Sequence, residues 1–230
     1  RDYYASRGLG DVYKRQQQFA LTSCCPSWSV MAKNLFPETI DKISNELTPM
    51  VATARLIKQE HPDASVVFIG PCASKKLEAS RRTVRSDVDF VITFEELTGM
   101  FEAKGILLDE IKAMDEMKDA TAAGRGYGVA GGVANAIKEC IEKYYPGTPV
   151  NIQHAESLAE CKKALLLAKA GKMNGCLIEG MACPGGCIAG AGTNIAIPVA
   201  AKAVDKFKNE AEKKVPDESV DQEMVELEKE

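Results

Sequence analysis

Histidine is scarce in this 230-residue chain: His61 and His154 are the only two, and they share neither a helical face nor a local motif. A histidine-built metal or acid–base site is therefore set aside. No uninterrupted apolar run is long enough to cross a bilayer, and no stretch reads as a signal peptide. Lys and Arg are scattered, and a net charge of −4 leaves no electrostatic footprint for nucleic acid. Close Cys-x-x-Cys knuckles are missing, which argues against zinc ribbons and fingers. Neither GxGxxG nor a P-loop occurs, so the glycine-rich 124–132 stretch reads as a flexible loop and not a phosphate cradle. Eight cysteines are too few, at this length, for a secreted disulfide scaffold. What is left is an ordinary globular composition, 45% hydrophobic and 27% charged, sized for one or two domains. A reducing, cytoplasmic compartment is the default, and there clustered cysteines serve metals or catalysis.

Strand and helix signals alternate along the chain, which predicts an α/β fold with mainly parallel sheets. Strands are expected at Phe19–Ser23, Ser65–Gly70, Asp89–Thr93, Val150–His154 and Met173–Ile178, with the 65–70 run read as buried. Pro26 opens a helix that stops at Phe36-Pro37, and Thr48 caps a second one running to about Gln59. Thr93 with Glu96 forms a capping box, and Gly105 ends that helix. Leu107–Met117, Val133–Tyr145, the segment capped by Ser157, and Ile197–Lys214 are the remaining helical expectations. Residues 1–16 resemble a translated adapter junction and are kept out of the fold. The folded domain is expected over 17–205, and the acidic 206–230 segment reads as a charged tail.

The cysteines are placed unevenly, and three cysteine-bearing loops each follow a predicted strand. Cys25, Cys72, Cys183 and Cys187 make a natural set of four on separated loops, which iron–sulfur clusters accept more readily than zinc does. Gly185-Gly186 between the last two lets backbone wrap closely around a bulky inorganic object. Cys24 beside Cys25 points to the opposite face in extended chain. It is a second thiol near the site that can exchange a proton near neutral pH. Cys140, Cys161, Cys176 and Trp28 read as core or surface residues.

Three segments then carry a resemblance. Thr22-Ser23-Cys24-Cys25-Pro26-Ser27-Trp28, Pro71-Cys72-Ala73-Ser74-Lys75-Lys76-Leu77-Glu78 and Glu179-Gly180-Met181-Ala182-Cys183-Pro184-Gly185-Gly186-Cys187 resemble, in order, the three signatures of the iron-only (FeFe) hydrogenases. The resemblance implies two lobes of mainly parallel sheet flanked by helices, with the metal cluster in the cleft between them. It implies an H-cluster: a 4Fe–4S cubane joined to a two-iron subsite with CO, cyanide and azadithiolate ligands. Cys25, Cys72, Cys183 and Cys187 would hold the cubane, with Cys187 bridging to the two-iron subsite. Cys24 would pass protons, Lys75 would hydrogen-bond a cyanide, Met181 would wall the two-iron subsite, and Ser44 would stand in the proton path. The implied reaction is the reversible reduction of protons to H2, with electrons from ferredoxin or a partner subunit. Maturation proteins would install the cofactor.

The sequence also departs from the family pattern. Gly70 stands where the second signature usually has Met, and Gly190-Ala191-Gly192-Thr193-Asn194 replaces Gly-Gly-Gly-Gln-Pro. The acidic residues expected upstream in the proton relay are not in this sequence, nor are ferredoxin-like relay domains. Two alternatives stand beside the enzyme: a Nar1-like cluster-assembly protein, similar over Cys72–Glu78, and an H2-sensing hydrogenase. The doubled Cys24-Cys25 favours the enzyme, because a pure cluster carrier has no use for a proton-passing thiol.

Overall fold

The computed structural model describes residues 18–112 and 120–215. The predicted junction and most of the predicted tail lie outside those ranges. In chain order the elements are β1 (Phe19–Leu21), α1 (Pro26–Leu35), α2 (Pro49–Glu60), β2 (Val67–Gly70), α3 (Ser74–Ala79), β3 (Phe90–Thr93) and α4 (Phe94–Lys104). There follow α5 (Ala122–Arg125), α6 (Gly132–Tyr144), β4 (Asn151–Glu156), α7 (Leu158–Lys169), β5 (Cys176–Met181) and α8 (Ile197–Asn209). Every strand pairing among the described residues is parallel: β1-β5-β4 form one sheet and β2-β3 another. This is the predicted α/β class with parallel sheets.

The first sheet is covered on both faces, as parallel sheets require. Alternation along β5 assigns the faces. Ile178 joins Phe19, Leu21, Trp28 and the α7 residues Cys161 and Leu165 in one buried cluster. Leu177 and Met181 join Ala20 and the α6 residues Val133, Ala134, Ile137 and Ile141 in the other. Each large side chain so buried contributes about 1.5–3 kcal/mol. Trp28 is fully buried and donates its indole N–H to the Thr22 carbonyl at 3.0 Å. Its ring lies against Gly180, where any Cβ would overlap the indole.

The second sheet is asymmetric. Phe68 and Val91 pack on Met50, Val51 and Ala54 of α2, while Val67, Ile69 and Phe90 stay 44–62% exposed. The 65–70 run is therefore buried on one face only. A pattern of β-branched residues reports strand, but the number of covered faces is set by layers elsewhere.

Local signals hold where a side chain meets its own backbone. Thr93 and Glu96 make both bonds of the capping box, Gly105 closes α4 in the left-handed conformation, and Ser157 accepts from Glu160 N–H. Pro26, Pro49 and Pro198 each lie in the first turn of a helix. Thr48 precedes α2 but gives no capping bond, and its Oγ1 is buried without a hydrogen-bond partner among the described residues. The helix expected over 107–117 is a single 3-10 turn, Leu108–Glu110, within the described residues, and 113–117 lie outside them. The boundary placed at 205 falls inside α8.

Gly180→Ala would force Trp28 out of its slot. The expected cost is about 1–3 kcal/mol, the usual range for overpacking a closed core, read as a lower urea midpoint with an unchanged slope.

Candidate metal centre

Each cysteine loop leaves the C-terminal end of a parallel strand, where open α/β sheets place ligands. Cys24 and Cys25 follow β1 and lead into α1, Cys72 follows β2 and leads into α3, and Cys183 follows β5. The three loops are joined by bonds that involve no sulfur. Ser27 Oγ and Ser74 Oγ share a hydrogen bond of 2.5 Å, linking the first loop to the second. Lys75 Nζ reaches across to donate to the Cys24 carbonyl at 3.3 Å. Gly192 N–H donates to the Pro71 carbonyl at 2.9 Å, linking the third loop to the second.

The predicted ligand cysteines are all half-buried, and Cys183 and Cys187 lie within electrostatic reach of Cys25 and Cys72. Burial, then negative charge at Cys25, Cys72 and Cys183, pushes the Cys187 thiol up to about 12, with Lys75 opposing. Burial and the same Cys25 and Cys72 charges push the Cys183 thiol up. Thiols in this arrangement resist ionising together unless a cation cluster accepts them. Among the described residues, no three His, Cys, Asp or Glu side chains converge to hold a single metal ion. Four thiols on separated loops are the donor type that iron–sulfur clusters take. The donor set therefore fits an iron–sulfur cluster.

Cys24 is half-buried, and its thiol is pushed up first by burial, next by the charge of Glu179, then by Cys187. Met181 is buried in the cluster against which Cys24, Cys25 and Cys187 pack. Lys75 is buried and pairs with buried Glu78 at 2.6 Å, whereas neighbouring Lys76 lies exposed against Glu96. Ser44 lies beside β1: its N–H donates to the Leu21 carbonyl at 2.8 Å, and its Oγ accepts from Glu46 N–H at 3.2 Å. At Gly70 the ring of Phe68 stands 2.8 Å from where a Cβ would be, so the space a larger residue needs is already filled. Cys140 and Cys161 are core thiols, and Cys161 is raised to about 12 by burial first.

Two features are not evident from the sequence. The 124–132 stretch, expected to be flexible, is ordered: α5 and a 3-10 turn (Gly126–Gly128) lead to an antiparallel bridge between Val129 and Gly186. Ala130 N–H donates to the Gly185 carbonyl at 3.0 Å, and a Cβ on Gly186 would strike the Gly128–Ala130 backbone. Glu179, which the sequence presents only as a motif letter, is 1% exposed in the middle of β5. A lone acid inside the apolar run 176–182 is the available signal, since a carboxylate there must be bonded.

Comparison with known proteins follows the same lines. The family model for the C-terminal domain of the iron-only hydrogenase large subunit matches residues 5–191, beginning inside the segment read as a junction. The periplasmic Fe hydrogenase large subunit of Nitratidesulfovibrio vulgaris is 29% identical over 227 residues, taking in 80% of this chain and 53% of that protein. A cytosolic Fe-S cluster assembly factor, NAR1 of Kluyveromyces lactis, is 39% identical over 80 residues, 35% of this chain and 17% of that protein. Among solved structures, the FeFe-hydrogenase HydA1 of Chlamydomonas reinhardtii matches with a TM-score of 0.66 at 20% identity, covering 93% of this chain and 72% of that one. This chain thus spans about half the length of the Nitratidesulfovibrio hydrogenase that it matches. No helix among the described residues is long and apolar enough to cross a membrane.

The buried Lys75–Glu78 pair gives a direct test of the second loop. Lys75→Ala leaves Glu78 buried and uncompensated and is expected to destabilise the metal-free protein by about 3–5 kcal/mol. Lys76→Ala, on the exposed pair, costs less than about 1 kcal/mol. Urea denaturation of both variants distinguishes the two.

Proposed function

Since this chain belongs to the family of iron-only hydrogenase large-subunit domains, we propose that it forms the catalytic core of an FeFe hydrogenase. The observation that supports this most is the gathering of Cys25, Cys72, Cys183 and Cys187 on three bonded loops, with a further thiol, Cys24, beside them. A carrier of a plain cluster needs four thiols. The fifth is what proton chemistry asks for.

In this reading Cys25, Cys72, Cys183 and Cys187 would hold the cubane of an H-cluster, and Cys187 would also serve the two-iron subsite. When bound, that group supplies the redox chemistry, interconverting two protons and two electrons with H2. The chain's own residues hold, shield and feed it. Cys24 Sγ keeps its proton, because burial and the Glu179 charge disfavour the thiolate, and so stands as a proton donor at the site's edge. Lys75, kept in place by Glu78, brings a positive charge toward anionic ligands. Met181 excludes water with an apolar, adaptable side chain. Ser44 is linked to the first loop through Glu46 and Ser23, and in this reading it would stand in the proton path. Electrons come from ferredoxin or a partner subunit, maturation proteins install the two-iron subsite, and a reducing cytoplasm keeps such thiols available.

A second reading has its own support, the similarity to cluster-assembly factors over the 80 matched residues. In that case the same four cysteines hold an iron–sulfur cluster without hydrogen chemistry.

Infrared spectroscopy of anaerobically matured protein separates the two. Bands from iron-bound CO and cyanide are expected. Their absence from protein that carries a full cubane would favour the assembly factor. Cys24→Ser should keep those bands and lose most H2 turnover, and normal turnover would remove Cys24 from the proton path.

A further inference from the structure

Beyond its charge acting on Cys24, Glu179 has a second place in the structure, at the centre of the first sheet. It lies on β5, the middle strand, opposite His154 of β4. Burying a carboxylate costs several kcal/mol unless it is hydrogen-bonded on arrival. Here both oxygens are used. Oε1 accepts from Gly131 N–H at 2.9 Å, and Oε2 accepts from Ala134 N–H at 2.7 Å. These donors belong to the N-cap and first turn of α6, a 13-residue helix whose own N-cap, Gly131, has no side chain to offer. The carboxylate thus caps a helix from a different element and meets the positive end of its dipole. His154 Nδ1 stands 4.0 Å from Oε2 on the outer side.

The segment that Glu179 fixes is the one that holds the last cysteine loop. Gly131 ends the strap running through Gly128, Val129 and Ala130, which lies flat on Gly186 and binds the Gly185 carbonyl. Gly185 N–H in turn donates to Glu156 Oε2 at 2.8 Å, so the turn between Cys183 and Cys187 is gripped from two sides. We infer that Glu179 is a positioning residue for the cluster: by capping α6 it anchors the 128–131 strap, and the strap sets the Gly185–Gly186 turn that carries Cys183 and Cys187. This rests on the assignment of those two cysteines as ligands. It adds that the ligand loop is preorganised by a carboxylate bonded to backbone amides of a different element.

The test compares the whole chain with Glu179→Gln, Glu179→Asp and a control, Val51→Ala, which thins the buried cluster of the other sheet. Gln removes the charge and sets an amide N–H against a backbone donor. Asp keeps the charge but is too short to serve both amides. Two measurements are made: amide hydrogen exchange of the metal-free proteins, and loss of iron to a chelator after anaerobic reconstitution with ferrous iron and sulfide. Both Glu179 variants are expected to exchange faster at 128–134 and 183–187, and to release iron about tenfold or more faster, the usual effect of removing a residue that orients ligands. Val51→Ala should change neither segment. Glu179 variants that match wild type, or that match Val51→Ala in both measurements, overturn the inference. If the wild-type chain takes up no cluster, the ligand assignment fails by itself, and exchange at the two segments alone decides the role of Glu179. A Glu179→Gln chain that does not fold leaves Glu179→Asp to give the answer.

Discussion

Thiolates repel one another, and this chain gathers four candidate ligand thiols with little of its own to neutralise them. That constraint shapes the rest of the site. Burial and neighbouring charge push the Cys183 and Cys187 thiols up, so ionising the set together is disfavoured without a cation to accept it. The loops must be positioned by other bonds, and they are: a serine pair, a lysine reaching a carbonyl, and a backbone bond from Gly192 to Pro71. The buried Lys75–Glu78 pair fits the same logic. It costs desolvation energy, and its return is a fixed cation close to a site built for negative charge.

The two sheets contribute unequally. The first is covered on both faces and brings Cys24, Cys25, Cys183 and Cys187 to one end, with Trp28 packed on Gly180 to fix β5 against α1. The second delivers Cys72 and Lys75 but leaves Val67, Ile69 and Phe90 in contact with solvent. The proposed ligand set therefore depends on the two sheets keeping their relation, and the Ser27–Ser74 and Gly192–Pro71 bonds are among those that keep it.

Much of this is legible in the residues. Strand, loop and cysteine recur three times, the prolines mark helix starts, and the Thr93–Glu96 box is readable because its two partners lie three residues apart. Several of the misreadings depend on partners distant in the chain. Gly124–Gly132 looks flexible in isolation, and only the turn at Gly185–Gly186 orders it. Val67 and Ile69 look buried until one asks what covers them. Thr48 has the chemistry of a cap but not the bond. Glu179 is spelled out in a signature, yet its burial follows from β5 being the middle strand, which periodicity does not reveal.

We propose that four cysteines from three loops act as one ligand set. Iron and sulfide content after anaerobic reconstitution, measured on all eight single Cys→Ala variants, tests it most directly. A cubane of about four irons per chain is expected in wild type and in the variants at Cys24, Cys140, Cys161 and Cys176, and its loss when Cys25, Cys72, Cys183 or Cys187 is replaced. Full occupancy in any one of the latter four, or loss confined to a different set, would contradict it.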